Sequence, residues 1–198
     1  FGVQAKTLVP PMMFNNSGNI GLPLAVLAWG EDALPAAVIL FMVENTLHFS
    51  FGARLLDPHA RILTLWRVPV VFAALAGLTV AILKIPVWQP LVVAIRMLGD
   101  ISVPLLLFSL GVRLTDVSFR EWTVPVVGAV VRPLAGMLIA AGLVPLLGLH
   151  GRDAAMLLVF GALPPAVLNF LFAERYRQEP GRVASIVLIG NLAALIFL

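Results

Sequence analysis

Three asparagines, two glycines and a proline interrupt an apolar stretch near the start of the chain. The stretch reads Phe14-Asn15-Asn16-Ser17-Gly18-Asn19-Ile20-Gly21-Leu22-Pro23-Leu24. Unpaired amide and backbone groups are costly in hydrocarbon, so a membrane helix tolerates such an interruption only inside protein or beside a wet cavity. The run therefore predicts a binding site within the membrane, lined by amide groups that can donate hydrogen bonds.

A second interruption follows in a later apolar stretch. It reads Phe160-Gly161-Ala162-Leu163-Pro164-Pro165-Ala166-Val167-Leu168-Asn169. Its double proline removes two amide donors and clashes with the preceding turn, so a helix cannot pass through unbroken. Where a broken helix restarts, exposed amides and roughly half a positive charge from the helix dipole can bind a carboxylate. Asn15, Asn16 and Asn19 are candidate contacts for such an anion; alternatively, their side chains only satisfy the broken backbone.

Ionisable side chains are rare inside membrane spans and are usually functional there. Glu44 and His48 lie four residues apart and share a helix face, so the pair could carry a proton during transport or act as an interhelical anchor. Arg132 needs a carboxylate, a carbonyl, water or substrate as its partner, and both attraction of an anion and pairing with Glu44 are open. We expect Asn169 to contact the site and Asn191 to be an interhelical hydrogen-bond partner away from it.

The composition indicates which class of protein must position these groups. Of 198 residues, 61% are hydrophobic and 12% charged, against about 45–50% and about 25% in soluble domains. Mean hydropathy is +1.03. These values predict an all-α integral membrane protein, and we assign the net charge of +3 to membrane topology, not to nucleic acid binding. The absence of cysteine excludes disulfides and thiolate metal sites.

Apolar runs of about 20 residues predict seven membrane spans. They are Leu8–Trp29, Ala33–Leu56, Val68–Ile85, Trp88–Val112, Trp122–Leu147, Ala154–Ala173 and Val183–Leu198. Lys and Arg favour one set of connections by nine to two, so the positive-inside rule makes the connections 54–67, 113–121 and 174–182 cytoplasmic. The first and sixth spans then run in opposite directions, as the two broken helices of an inverted repeat must.

The spans fit one transmembrane transporter domain over residues 1–198, built from two unequal repeats. If a repeat has five helices, residues 1–56 are the end of the first repeat and residues 68–198 are the second. The first three helices would then be missing. We therefore expect an inverted-repeat transporter with two broken crossover helices and seven of its ten spans present.

Three motifs resemble the auxin efflux carrier family, which includes plant auxin carriers and bacterial malate-permease-like proteins. They are Asn16-Ser17-Gly18-Asn19-Ile20-Gly21-Leu22-Pro23-Leu24, Leu98-Gly99-Asp100-Ile101-Ser102-Val103-Pro104-Leu105-Leu106-Leu107-Phe108-Ser109-Leu110-Gly111, and Gly161-Ala162-Leu163-Pro164-Pro165 followed by Phe172-Ala173-Glu174-Arg175-Tyr176. The resemblance implies a ten-helix fold like that of bile-acid sodium symporters, with substrate bound where the broken helices cross. By position, Asn16 matches the asparagine of the first crossover, and Pro164 and Pro165 match the proline region of the second. Asn15 stands where plant carriers usually have proline, so we expect a substrate other than auxin, in what reads as a bacterial protein.

The resemblance also implies secondary-active export or exchange of a small organic anion, here across a bacterial inner (plasma) membrane. A bile-acid/sodium-symporter-like uptake carrier and an anion channel remain alternatives. An enzyme is not expected, because the sequence has no zinc-protease, nucleophile-elbow or phosphate-loop motif. We expect the organic anion and the lipid bilayer as partners, and no cofactor, metal or nucleic acid. A homodimer and coupling to protons or sodium are left open.

Overall fold

The computed structural model describes residues 4–58, 69–114 and 122–198. Within these ranges the chain is helical, and its only extended pairing is an isolated antiparallel bridge between Asn15 and Pro165. The π-helical turn His48–Gly52 joins two α-helices end to end, whereas the π-helical turn Ser17–Gly21 and the 3-10 turn Glu31–Ala33 each lead directly into the following α-helix. The α-helices are α1 (Ala5–Met13), α2 (Leu22–Trp29), α3 (Leu34–Leu47), α4 (Ala53–Leu56), α5 (Pro69–Ile82), α6 (Gln89–Leu114), α7 (Thr123–Leu146), α8 (Gly151–Ala162), α9 (Leu168–Arg175) and α10 (Pro180–Phe197).

Two continuous helical stretches are long and apolar enough to cross a membrane. The first, Glu31–Leu56, joins the 3-10 turn, α3, the second π-helical turn and α4 over 26 residues. The second is α7, with 24 residues. Two further apolar stretches, Ser17–Trp29 and Pro180–Ile196, are shorter.

The prediction of seven apolar spans, two of them interrupted, is met only in part by the residues that the structure describes. The predicted spans Leu8–Trp29 and Ala154–Ala173 are each divided into two short helices by the interruptions within them. The other five predicted spans coincide with α3 to α4, with α5, with α6, with α7 and with α10. Only the stretch from α3 to α4 and the helix α7 meet the length and hydropathy expected of a span, among the described residues. The number of crossings therefore stays a prediction. Parts of the predicted cytoplasmic connections, 59–67 and 115–121, lie outside the described residues.

The beginning of α1 lies beside the end of α4 and the beginning of α10. Lys6 Nζ donates a hydrogen bond to the carbonyl of Leu56 (2.9 Å), and Thr7 Oγ1 donates one to the carboxylate of Glu179. Glu179 also forms an ion pair with Arg182. Two connections that the charge distribution assigns to the cytoplasm, 54–67 and 174–182, are therefore held close together by the beginning of α1.

The contact between α7 and α8 depends on two glycines. A Cβ atom on Gly136 would lie 2.0 Å from the carbonyl oxygen of Gly161, and a Cβ atom on Gly161 would lie 2.6 Å from the carbonyl oxygen of Gly136. Both distances are below the 3.0 Å that real Cβ atoms keep from their neighbours. Only glycine at both positions permits this close approach of the two backbones.

Two apolar clusters hold the interrupted helices in place. The first joins the second interruption and α9 to α10, and it contains the fully buried Val187 and the nearly buried Val167. The second joins α2 and α3 to α8 and its end, and it contains Met156 and Leu163. Both interruptions are thus packed against continuous helices, which fixes their positions in the interior.

Large apolar side chains also cover the outside of the molecule. Leu27, Leu138 and Leu195 are 84%, 74% and 83% exposed. A soluble monomer rarely exposes a contiguous apolar surface of this kind. The outer surface is typical of a protein that contacts lipid or further apolar helices.

Candidate binding site at the crossing of two interrupted helices

The first interruption begins where α1 ends at Met13. Phe14 has an extended backbone (φ −101°, ψ 123°), and the helical path resumes at Ser17 after Asn16 (φ −86°, ψ 52°). The carbonyl of Asn16 then accepts hydrogen bonds from both Ile20 and Gly21, each at 3.1 Å. Asparagine has a low helix propensity, so two in succession favour the end of the helix here, and their side chains bond Phe160 and Asn191 far along the chain.

The second interruption lies between α8, which ends at Ala162, and α9, which begins at Leu168. Leu163 precedes a proline and takes the extended conformation that this position favours (φ −55°, ψ 145°). The predicted break at Pro164 and Pro165 is therefore confirmed.

The two interruptions cross each other as antiparallel extended segments. The amide of Asn16 donates to the carbonyl of Pro164 (2.8 Å), and the amide of Ala166 donates to the carbonyl of Phe14 (3.0 Å). The bridged pair between them, Asn15 and Pro165, exchanges no backbone hydrogen bond in this pattern. Pro165 has no N–H to donate, and it occupies the one position of the crossing where none is needed.

Four amide side chains tie the crossing together. Asn15 Nδ2 donates to the carbonyl of Phe160 (2.8 Å), near the end of α8. Asn169 Nδ2 donates to the carbonyls of Phe14 and Ala166, both at 3.1 Å. Asn16 Nδ2 donates to Asn191 Oδ1 on α10 (2.9 Å). These side chains link the two interruptions to each other, to the end of α8 and to α10.

Asn191 is the residue that the sequence-based expectation misplaced. It does not lie away from the site, because its Nδ2 donates to the carbonyl of Pro165 (3.0 Å) while its Oδ1 accepts from Asn16. One side chain therefore contacts both interruptions. A polar residue in an apolar helix was the only signal in the sequence, and it does not specify a partner.

A cavity of about 320 Å³ lies beside the crossing. It is lined by the beginnings of both resumed helices, Ser17–Asn19 from the first interruption and 166–168 from the second, and by Phe41, Glu44 and His48. The amides of the first turn of a helix have no partner within the helix. Half-buried Asn19 also lines this cavity. The cavity thus combines two helix N-termini with amide side chains.

Glu44 and His48 face each other on this cavity, as their spacing predicts. His48 Nδ1 lies 3.6 Å from Glu44 Oε1, and Ser17 Oγ donates to Glu44 Oε2 (2.9 Å). His48 is fully buried and neither of its ring nitrogens has a hydrogen-bond partner. Its ring is stacked on Phe14 and meets the edge of Phe172. The pair therefore contacts both the first interruption and α9.

Arg132 lies on the other side of the crossing, in α7. Its Nη1 donates to the carbonyl of Gly161 (3.1 Å), and only 5% of the residue is exposed. It lines a second cavity, of about 500 Å³, together with Asn15 and Glu44. Of the partners left open for Arg132, the structure shows a carbonyl. Glu44 attracts the charge of Arg132 without forming an ion pair with it.

The structure brings all of the predicted site residues to the crossing or to these two cavities. Pro164 and Pro165 are buried in the crossing itself and line neither cavity. Within the described ranges, no three His, Cys, Asp or Glu side chains lie close enough to hold a metal ion.

Comparison with known proteins connects this architecture to transport. Residues 59–198, more than half of the chain, match a protein family described as "Membrane transport protein". The chain is 24% identical over 180 residues to auxin efflux carrier component 6 of Arabidopsis thaliana, covering 86% of this chain and 29% of that protein. It is 28% identical over 175 residues to probable auxin efflux carrier component 3b of Oryza sativa subsp. japonica, covering 85% and 27%.

The chain spans less than a third of the length of these relatives. No solved structure matches it.

Proposed function

Because the chain belongs to the membrane transport protein family, that of the auxin efflux carriers, we propose that it binds and transports a small organic anion by secondary-active efflux or exchange. The antiparallel crossing of the two interrupted helices is the observation that carries this proposal. Crossed, discontinuous helices near the midplane are how many secondary carriers build their substrate sites. The proposal includes two inverted repeats, residues 1–56 and 68–198, and a plasma membrane in which residues 174–182 face the cytoplasm.

The cavity of about 320 Å³ is the proposed anion site. Each helix that begins there contributes roughly half a positive charge and unpaired amides, so two helix N-termini supply the equivalent of a full cation. Asn19 and the first-turn amides of Ser17 and Gly18 are the proposed contacts of the carboxylate. Asn15, Asn16 and Asn169 hold the crossing through their hydrogen bonds and thereby position these groups.

Glu44 makes anion binding at this site dependent on protonation. A bound carboxylate and the Glu44 carboxylate would repel each other in one small cavity, so anion binding favours the neutral form of Glu44. The groups that face Glu44 are His48 on its own helix, Ser17 at the first interruption and the Arg132 charge from α7. We therefore include Glu44 and His48 as the site of proton coupling, with one proton taken up as the anion binds.

Transport is tested by counterflow in proteoliposomes that contain the intact protein. Unlabelled malate inside should accelerate entry of radiolabelled malate, with saturation, and lactate and succinate should compete to different extents. Current that rises linearly with malate concentration and voltage, with no counterflow, would indicate a channel and contradict the proposal.

Two variants locate the transport site. Asn19→Ala should weaken malate counterflow by roughly 10- to 100-fold, because a hydrogen bond to a charged group contributes about 1.5–3 kcal/mol. Thr79→Ala is the matched control, because Thr79 is exposed on α5 and bonds only its own helix at the carbonyl of Leu75. Equal counterflow by both variants would exclude Asn19 as a contact.

A further inference from the structure

The second cavity, of about 500 Å³, is lined by Arg132, which does not line the cavity proposed to bind the transported anion. It lies between the end of α1, α3, α7 and α8, and its polar side chains are those of Asn15, Glu44 and Arg132. We propose that this cavity is a separate binding site for an apolar hydroxy or amino acid, whose carboxylate contacts Arg132. The proposal does not depend on transport at the crossing.

Arg132 supplies the anion-binding end of the site. Only 5% of the residue is exposed, and its Nε–H has no hydrogen-bond partner. Its bond to the carbonyl of Gly161 leaves the positive charge uncompensated by a directly bonded carboxylate. A buried cation of this kind is costly, and a ligand carboxylate on the free edge of the guanidinium would offset that cost.

Asn15 and Glu44 supply the acceptors of the site. Asn15 Oδ1 and Glu44 Oε1 are both buried acceptors without a hydrogen-bond partner. A ligand that satisfies them must bring an O–H or N–H donor, because two acceptors cannot bond each other. The second carboxylate of a dicarboxylate would instead face Glu44 and be repelled. The site therefore selects a carboxylate with a nearby hydroxyl or ammonium group.

The walls determine the rest of the ligand. Leu40, Ile139, Leu157 and Phe160 line the cavity along with further apolar residues. Cavities of about 300–1,000 Å³ with apolar walls and a few convergent polar groups are typical of sites for small organic molecules. An aromatic or branched aliphatic side chain on the ligand would cover these walls, which excludes small polar hydroxy acids as the preferred ligands.

Three related compounds test the chemistry of the site on the purified intact protein in detergent. Phenyllactate carries the carboxylate, the hydroxyl and the ring; hydrocinnamate lacks the hydroxyl, and phenethyl alcohol lacks the carboxylate. We expect phenyllactate to bind at least tenfold more tightly than either, as measured by calorimetry and by thermal stabilisation. Equal affinities for all three would show partitioning into apolar surface and would overturn the proposal.

Two variants place the binding in this cavity. Arg132→Gln removes the cation, and Ala135→Phe fills the cavity from α7 while leaving every polar group in place. Both should lose phenyllactate binding by tenfold or more. Ala141→Phe is the matched control, because Ala141 is exposed on the same helix and lines neither cavity. Phenyllactate binding that survives both Arg132→Gln and Ala135→Phe would refute the assignment.

Malate counterflow separates this proposal from the transport proposal. Ala135→Phe should leave malate counterflow unchanged while abolishing phenyllactate binding, which supports a separate site. Loss of both activities in Ala135→Phe, with both retained in Ala141→Phe, would contradict the separateness of the two cavities. If the unmodified protein shows no malate counterflow but binds phenyllactate through Arg132, the result would overturn the transport proposal and leave the second binding site supported.

Discussion

The imidazole ring of His48 lies parallel to the phenyl ring of Phe14, with ring centroids 4.1 Å apart and ring planes at 5°. Phe14 is the first extended residue of the first interruption, and its carbonyl accepts hydrogen bonds from Ala166 and Asn169. The ring of His48 thus packs directly on the segment that forms the crossing. A change in the charge of His48 would act on the crossing through this stacked pair.

We expect His48→Phe to keep the ring packing at this position while removing the titratable side chain. Phenylalanine can keep the stacking on Phe14 and the edge contact with Phe172, so thermal stability should stay close to that of the unmodified protein. The pH dependence of malate binding should become weaker, because Glu44 loses its titratable neighbour. Calorimetric titrations at pH 6 and pH 8 measure both affinities, and an unchanged ratio between them would contradict a role of His48 in proton coupling.

Glu44→Gln should remove the repulsion between the anion and the site. The glutamine oxygen can still accept the hydrogen bond from Ser17, so the local packing is retained. We expect malate binding to become nearly independent of pH and to be tighter than in the unmodified protein at pH 8. Proton uptake during binding, measured in weakly buffered solution, should disappear. Uptake that persists would show that another group carries the proton.

Asn191→Ala should destabilise the protein by about 1–3 kcal/mol, because it leaves Asn16 Nδ2 and the carbonyl of Pro165 without partners in the interior. Ser185→Ala on the same helix is the control, since Ser185 bonds only the carbonyl of Gly181 one turn away. We expect it to change stability by less than about 0.5 kcal/mol. Denaturant unfolding in detergent compares the two, and equal effects would exclude a structural role of Asn191 at the crossing.

Gly136→Ala should be costly, whereas Gly142→Ala should be neutral or stabilising. The new methyl group at Gly136 meets the backbone of Gly161 and forces α7 and α8 apart, at a cost of at least about 1–3 kcal/mol. Gly142 lies on the same helix with nothing within 4 Å of its added Cβ, so alanine there gains helix propensity of up to about 1 kcal/mol. Thermal unfolding of both variants measures the difference. Similar melting temperatures would contradict the tight contact.

The sequence was sufficient to predict the local breaks but insufficient to predict what surrounds them. Pro164 and Pro165 cannot continue a helix in any context, and the pair Asn15 and Asn16 strongly favours a break, so both interruptions follow from local chemistry. The partners of Asn191 depend instead on how α10 packs against residues far away in the chain. Asn191 is an interhelical hydrogen-bond partner, as expected, but the sequence carries no local signal for its position, and its placement away from the site was wrong.

Local sequence patterns could not predict the two cavities either. Arg132 was recognised as a cation that needs a partner, but its bond to the carbonyl of Gly161 requires the close approach of α7 and α8. That approach depends on two glycines separated by a turn and by most of both helices. Glu44 and His48 were easier to predict as a pair, because a spacing of four residues on one helix fixes their proximity without any tertiary contact.

The placement of Pro165 at the non-hydrogen-bonded pair also fixes the register of the crossing. A slip of one residue would turn each of the side chains of Asn15 and Asn16 to the other face of its segment. The two side chains would then be separated from Phe160 and Asn191. The two extended segments therefore cannot slide past each other in small steps, and in the proposed transport cycle they should move as one rigid unit. Any conformational change then has to occur where the helices around the crossing meet the rest of the protein.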